Sequence, residues 1–134
     1  MRDTKSTLLH KWFDEVWNND NESAIEQLMT SDSHAHGIIT EGQPEGAEGF
    51  KIFFRGFRSQ FHNVKVDIED VISQDDLESA RTTVNAVHTL TGKNVLFTGI
   101  CMVRISEGKI AEAWNNYDFL SMYQQLGQTL TSAS

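Results

Sequence analysis

The chain has one cysteine, one proline and no cluster of lysines or arginines in its 134 residues. A lone cysteine, Cys101, cannot close an internal disulfide, and nothing else points to an oxidising compartment. Affinity for a phosphate backbone needs clustered positive charge, whereas the net charge here is −8. Nucleic acid is therefore excluded as an expected partner. The same acidic field repels anionic membranes and strongly anionic ligands. No apolar run approaches transmembrane length, and the opening residues Met1–Trp12 lack the uninterrupted apolar core of a signal peptide. The expectation is a cytoplasmic protein without a membrane partner. In such a chain the glycosylation triplet at Asn21 is chance.

What is present reads as one domain spanning 1–134. At this length folding buries roughly two-thirds of the surface that the unfolded chain exposes. Leu8, Leu9, Trp12, Phe13, Val16 and Trp17 recur at the spacing of one helical face, running to about Asn18. A polar break at Asn18–Asn21 precedes a second helix burying Ala24, Ile25, Leu28 and Met29. Its cap is either Ser23, which has capping-box spacing to Glu26, or Asn21. Thr30–Gly46 is irregular, with a short extended piece around Ser33–Ile39. A third helix starts near Ala47, and Phe50, Phe53, Phe54, Phe57 and Phe61 form a stripe along it that needs a wide apolar surface, most simply a sheet.

From Val64 the period changes to two: Val64, Val66 and Ile68 alternate with Lys65, Asp67 and Glu69. Turn residues at Gln74–Asp76 and Thr91–Asn94 separate strands over Val64–Ser73, Ser79–Leu90 and Val95–Ser106. The last of these pairs with Lys109–Asn116 as a hairpin, and a short helix near Asp118–Leu126 ends at Gly127. Helices followed by antiparallel strands predict an α+β fold. By parity, Val95, Phe97, Cys101 and Val103 share one face of their strand, and Leu96, Ile100 and Met102 share the other. Ile110 and Trp114 are likewise out of phase with Ala111, Ala113 and Asn115. Strands apolar on both faces should be covered on both. The helices cover one face, so the expectation is a homodimer through the other, with Trp114, Ile100 and Met102 in the contact. The alternative cover is the C-terminal segment folded back over that face.

Four pieces in order carry a family resemblance. They are the opening Trp12–Asn18, the phenylalanine helix Gly49–Phe61, the strand end Val87-His88-Thr89, and the run Phe97–Trp114 continuing to Gly127. Together they resemble the SnoaL-like polyketide cyclases of the NTF2-like superfamily. That resemblance implies a cone in which N-terminal helices pack on a curved antiparallel sheet, followed by a short C-terminal helix. It further implies a pocket between helices and sheet, and cofactor-free, metal-free acid–base catalysis of an intramolecular aldol-type ring closure on a small hydrophobic carbonyl or polyketide-like compound. In such chemistry a base takes a proton α to a carbonyl and a donor stabilises the enolate oxygen.

Carried over by position, the family's carboxylate falls on Asn115 and its histidine on Cys101. The Asn115 amide cannot accept a proton at physiological pH, although it can donate to an oxyanion. Cys101 reads as a small buried hydrophobe facing the pocket. Asp118, where relatives often carry a second acid, is either a relocated acid/base or the N-cap of the last helix. His88 matches a histidine position of the family and is either a satisfied core residue or a ligand contact. His34 and His36 share a direction on an extended segment. Without a third ligand they do not read as a metal pair, and His36 is assigned to the pocket mouth. The pocket contacts expected are thus Cys101, His36, Phe50, Phe54, Phe97, Tyr117 and Trp17, with Asp118, His88 and Asn115 as candidate catalytic groups. The loop Leu90–Asn94 is shorter than in many relatives and leaves one pocket edge open unless Thr40–Glu45 covers it. Two readings follow, a cofactor-free enzyme or a non-catalytic binding module for a lipophilic metabolite. Epoxide hydrolysis ranks last, because Arg81 and Arg104 do not share a face with Asp118.

Overall fold

A computed structural model describes residues 7–37 and 44–128. The first helix, α1 (Leu8–Trp12), is capped by Thr7, whose hydroxyl accepts from His10 N (3.3 Å), and it continues as a π-helical turn over Phe13–Asn18. The helix α2 (Ser23–Leu28) follows. Neither candidate cap is used as one: Ser23 donates to Asn21 Oδ1 (2.6 Å), and no side chain bonds the first N–H groups of α2. Met29, expected on that helix, instead opens β1 (Met29–His36). After the long helix α3 (Gly46–Gln60) come β2 (Phe61–Gln74), β3 (Leu77–His88), β4 (Asn94–Ser106), β5 (Lys109–Tyr117) and the short α4 (Phe119–Gln125). Phe61 is therefore not the last member of the helical stripe. It starts β2, opposite His88, and its ring stacks on Phe57 at 4.7 Å.

The five strands form one sheet in the order β1-β5-β4-β3-β2. Pairing is antiparallel from β2 to β5, but β1 joins the far edge parallel to β5, so the sheet is mixed rather than wholly antiparallel. A parallel neighbour needs a crossover, and the helix α3 together with β2–β4 supplies it. The parity of β4 holds as expected: Val95, Phe97, Cys101 and Val103 are buried while Leu96, Ile100 and Met102 are exposed on the outer face. Ile110 departs from expectation. The register passes from Arg104–Glu112 to Ile105–Ile110, which makes Ala111 an extra residue. Such a bulge flips the side chains beyond it, and Ile110 turns to the core, 1% exposed.

The helical layer sits on one face only. Trp12, Phe13, Val16 and Trp17 from the N-terminal helix interleave with Phe50 and Phe54 of α3. The Trp17 ring lies 5.0–6.2 Å from those of Phe50, Phe53, Phe54 and Phe57. Two polar ties fix this layer. The buried carboxylate of Glu78 accepts from Leu9 N (3.1 Å), satisfying an orphan N–H of the first turn of α1. At the other end the Asn18 amide pairs with the edge of β2, donating to Val66 O (3.0 Å) and accepting from Val66 N (2.6 Å). Asn18 thereby stands in for one residue of a neighbouring strand.

Candidate functional site

Between the helices and the sheet lies a small, partly open cavity with about 50 Å³ of enclosed space. Its roof is Trp12, Phe13 and Trp17 from the N-terminal helix and Phe50, Phe53 and Phe57 from α3. Its floor is Val64 and Val66 of β2, Val84 of β3, Phe97 of β4, and Asn115 and Tyr117 of β5. Phe119, the first residue of α4, closes the C-terminal side, with its ring 5.9 Å from those of both Phe97 and Tyr117 and 6.4 Å from Phe53. Only Asn115 and Tyr117 bring hydrogen-bonding side chains without an indole or hydrocarbon character to this wall.

Close backbone geometry holds both. The chain leaves β1 at Gly37 (φ +86°), where an added Cβ would overlap the carbonyl oxygen of Asn115. This contact brings the end of β1 against β5, and the Asn115 Nδ2 donates to His36 O (3.0 Å). Gly99 lies opposite Tyr117 in the β4–β5 register, and the tyrosine ring fills the space that a side chain at Gly99 would need. Burial of the Tyr117 phenol, with the Cys101 thiol beside it, raises its pKa well above the usual value of 10. Burial likewise pushes the Cys101 thiol up to about 12, although Tyr117 and the backbone at Ala80 partly favour the thiolate. Both groups are protonated and neutral at physiological pH.

Of the expected residues, Trp17, Phe50, Phe97, Asn115 and Tyr117 come together around the cavity. Phe54 and Cys101 are buried next to that wall without lining it; Phe54 packs on Trp17, with the Arg58 guanidinium 5.5 Å from its ring. Asp118 is exposed, and its carboxylate accepts from Ser121 N (3.0 Å) as the N-cap of α4. His88 lies at the end of β3, 5.3 Å from the Phe61 ring, with Nδ1 2.9 Å from the Thr91 hydroxyl. Neither side chain lines the cavity. His36 is placed on the outer face, not at the pocket mouth. Its ring stacks on Trp114 (5.5 Å, 13°), and its Nε2 is 2.8 Å from Glu112. Strand parity explains this, since the buried Ser33 and Ala35 of β1 face inward and His34 and His36 face outward. Of the segment Thr40–Glu45, the one candidate cover for the open edge, residues 40–43 lie outside the described residues.

Several wall residues were missed as ligand contacts. Phe53 and Phe57 belonged to the phenylalanine stripe and Trp12 to the first helical face, so periodicity held their signal. Phe119 had none, because only the turn from β5 into α4 swings it over the cavity. No group of three or more His, Cys, Asp or Glu among the described residues is placed to hold a metal ion. None of the helices of the described residues is long and apolar enough to cross a membrane.

Comparison with known proteins places this geometry in a family. The model of the SnoaL-like polyketide cyclases matches residues 7–126. A candidate polyketide cyclase from Bacillus cereus superposes with a TM-score of 0.80 at 29% identity, over 92% of this chain and 80% of that one. IdmH, a candidate polyketide cyclase from Streptomyces antibioticus, gives 0.79 at 22% identity, over 94% and 100% of the two chains. AclR, a candidate hydroxylase from Streptomyces galilaeus, gives 0.72 at 18% identity, over 95% and 80%. The last two share the fold alone, and their different names illustrate that one frame hosts several chemistries. No curated protein matches the chain.

Proposed function

The chain belongs to the SnoaL-like polyketide cyclase family, and from that premise we propose that it binds a small apolar compound in the aromatic cavity without the proton-transfer chemistry of a cyclase. One observation carries this reading: no side chain lining the cavity can act as a base near neutral pH. The lining groups are aromatic rings, valines, one amide and a phenol held protonated by burial. The carboxylate between the lining residues Tyr117 and Phe119, that of Asp118, is occupied in capping α4. Abstraction of a C–H proton needs a group poised to accept it within hydrogen-bonding reach of the substrate. Apolar, largely pre-formed walls with few polar groups are what a binding pocket requires.

The reading is tested by NMR-detected deuterium exchange at the α-carbon of β-keto esters and related 1,3-dicarbonyls. Wild type is expected to leave exchange at the buffer rate. Catalysed exchange by wild type that disappears in Asp118→Asn or His88→Ala would replace binding by the enzyme reading, with a relocated base acting on a carbonyl or polyketide-like substrate.

The homodimer expected from strand parity also stands as a proposal. Leu96, Ile100 and Met102 are 50%, 53% and 40% exposed on the face that no helix of the described residues covers. They adjoin the half-buried Trp114, which pairs with Met102 in the sheet register. A second copy of the same face would cover this patch by two-fold symmetry.

A further inference from the structure

A cavity that holds a guest, the role proposed above, must also admit one. About 50 Å³ of enclosed space is less than the roughly 150 Å³ of an apolar cavity that takes up benzene, so even a single ring needs a wall to move. The roof is anchored. Trp12, Phe13 and Phe50 are each 4% exposed, and the Leu9–Glu78 and Asn18–Val66 hydrogen bonds tie that layer to the sheet. The helix α4 is held more lightly. Of its seven residues only Met122 is buried, with Phe119 and the following Leu126 partly buried beside it. Its polar hold is on a stretch of free strand edge. β5 pairs with β4 only as far as Tyr117 opposite Gly99, so β4 from Asn94 to Thr98 has no strand on that side. The Gln125 amide fills part of the gap: Oε1 accepts from Leu96 N (2.9 Å) and Nε2 donates to Leu96 O (2.7 Å). Asp118 N donates to Thr98 O (2.9 Å) at the other end of the helix. Gln125 is thus to β4 what Asn18 is to β2, a side chain standing in for a strand residue. Asn18 is half-buried, whereas Gln125 is exposed, and backbone hydrogen bonds open to water are the first to break in local unfolding.

We infer that α4 is a lid on the aromatic cavity, latched by the Gln125 amide on Leu96 and hinged at Asp118, between β5 and the helix. Phe119 is the part of the lid that closes the wall. Its ring lies against Phe53 of the roof and Phe97 of the floor, 6.4 and 5.9 Å between centroids, so moving α4 opens the cavity on this side. Tyr117 stays behind, because its ring is fitted against Gly99 within the sheet. The latch is the same whether the closed cavity is empty or filled. Breaking it therefore changes how fast a guest passes and not how tightly it is held.

The experiment follows nitrobenzene, a neutral single ring that quenches indole emission on contact, by stopped-flow in Trp114→Phe protein. The two indoles that remain, Trp12 and Trp17, both line the cavity. Gln125→Ala should raise the rates of entry and exit together by about tenfold, the worth of the two hydrogen bonds lost, and leave Kd within about twofold. In a Phe119→Ala background, where no ring closes the wall, the same substitution should change neither rate. Unchanged rates in Gln125→Ala, or an equal acceleration in both backgrounds, would overturn the lid and leave the binding function standing. Native-state amide exchange of the wild type tests the latch without any variant. Leu96 and Met122 should exchange through one shared opening, with protection well below that of Val84 in the middle of the sheet. Protection equal to that of Val84 would overturn the lid. Quenching that rises linearly with nitrobenzene and never saturates would sink the binding function, and the lid's role with it.

Discussion

Because Asn115 Nδ2 donates to His36 O across 3.0 Å, an aspartate at this position would bring a carboxylate oxygen against a carbonyl oxygen. Only its protonated form could donate there, so Asn115→Asp should have a carboxyl pKa raised above that of the unfolded chain. The sign follows from linkage. A group with a raised folded pKa keeps its stabilising contact below the unfolded pKa and loses it as pH rises through the folded one. The variant should therefore lie close to wild type in acid and fall about 1–3 kcal/mol below it at neutral pH. Urea unfolding of both proteins from about pH 4 to pH 8 checks this across the carboxylate range. A stability difference that does not change with pH would mean that the amide's bond to His36 is not what the substitution breaks. At this scale the sequence revealed that positions 115 and 101 carry no acid and no histidine. It could not reveal which way the amide points, since that depends on a carbonyl 79 residues away in the chain.

Single elements carry two further lessons. Asn18 ends the first helix and also binds both backbone groups of Val66 on the edge strand β2. Asn18→Ala removes two hydrogen bonds and leaves that stretch of edge unpaired, so it should cost roughly 1–3 kcal/mol. Faster amide exchange at Val66 than in wild type would accompany it, and unchanged exchange would refute the clamp. The C-terminal helix shows the competition between capping and catalysis. Asp118→Ala should lower stability by about 0.5–2 kcal/mol, the range for losing an N-cap. Thermal unfolding measures that loss, and no loss would free Asp118 from its structural role. Helices and strands were legible because periods of 3.6 and two are local properties. Phe61 was misplaced because its spacing continues the α3 stripe, whereas antiparallel pairing with His88 claims its backbone for β2. Ile110 was turned outward on parity alone, because a bulge at Ala111 is set by the partner strand and not by its own residues.

For the whole molecule, one helical layer on a two-faced sheet leaves the outer patch around Ile100 and Met102 as the open question of assembly. Light scattering at micromolar concentration should report a dimer, and Ile100→Asp combined with Met102→Lys should yield a folded monomer. A monodisperse wild-type monomer would defeat that expectation. The α+β class, the order of its elements and the aromatic stripe were all determined by the sequence. Each rests on residue type and local spacing, which survive without a folded partner. Four things were decided only in three dimensions. These were the parallel pairing of β1 with β5, the turning of His36 to the outer face, the fitting of Tyr117 over Gly99, and the swing of Phe119 over the cavity. Each depends on contacts between segments far apart in the chain. The physical reason is that periodicity fixes which face a residue takes within its own element, while pairing and packing fix what that face meets.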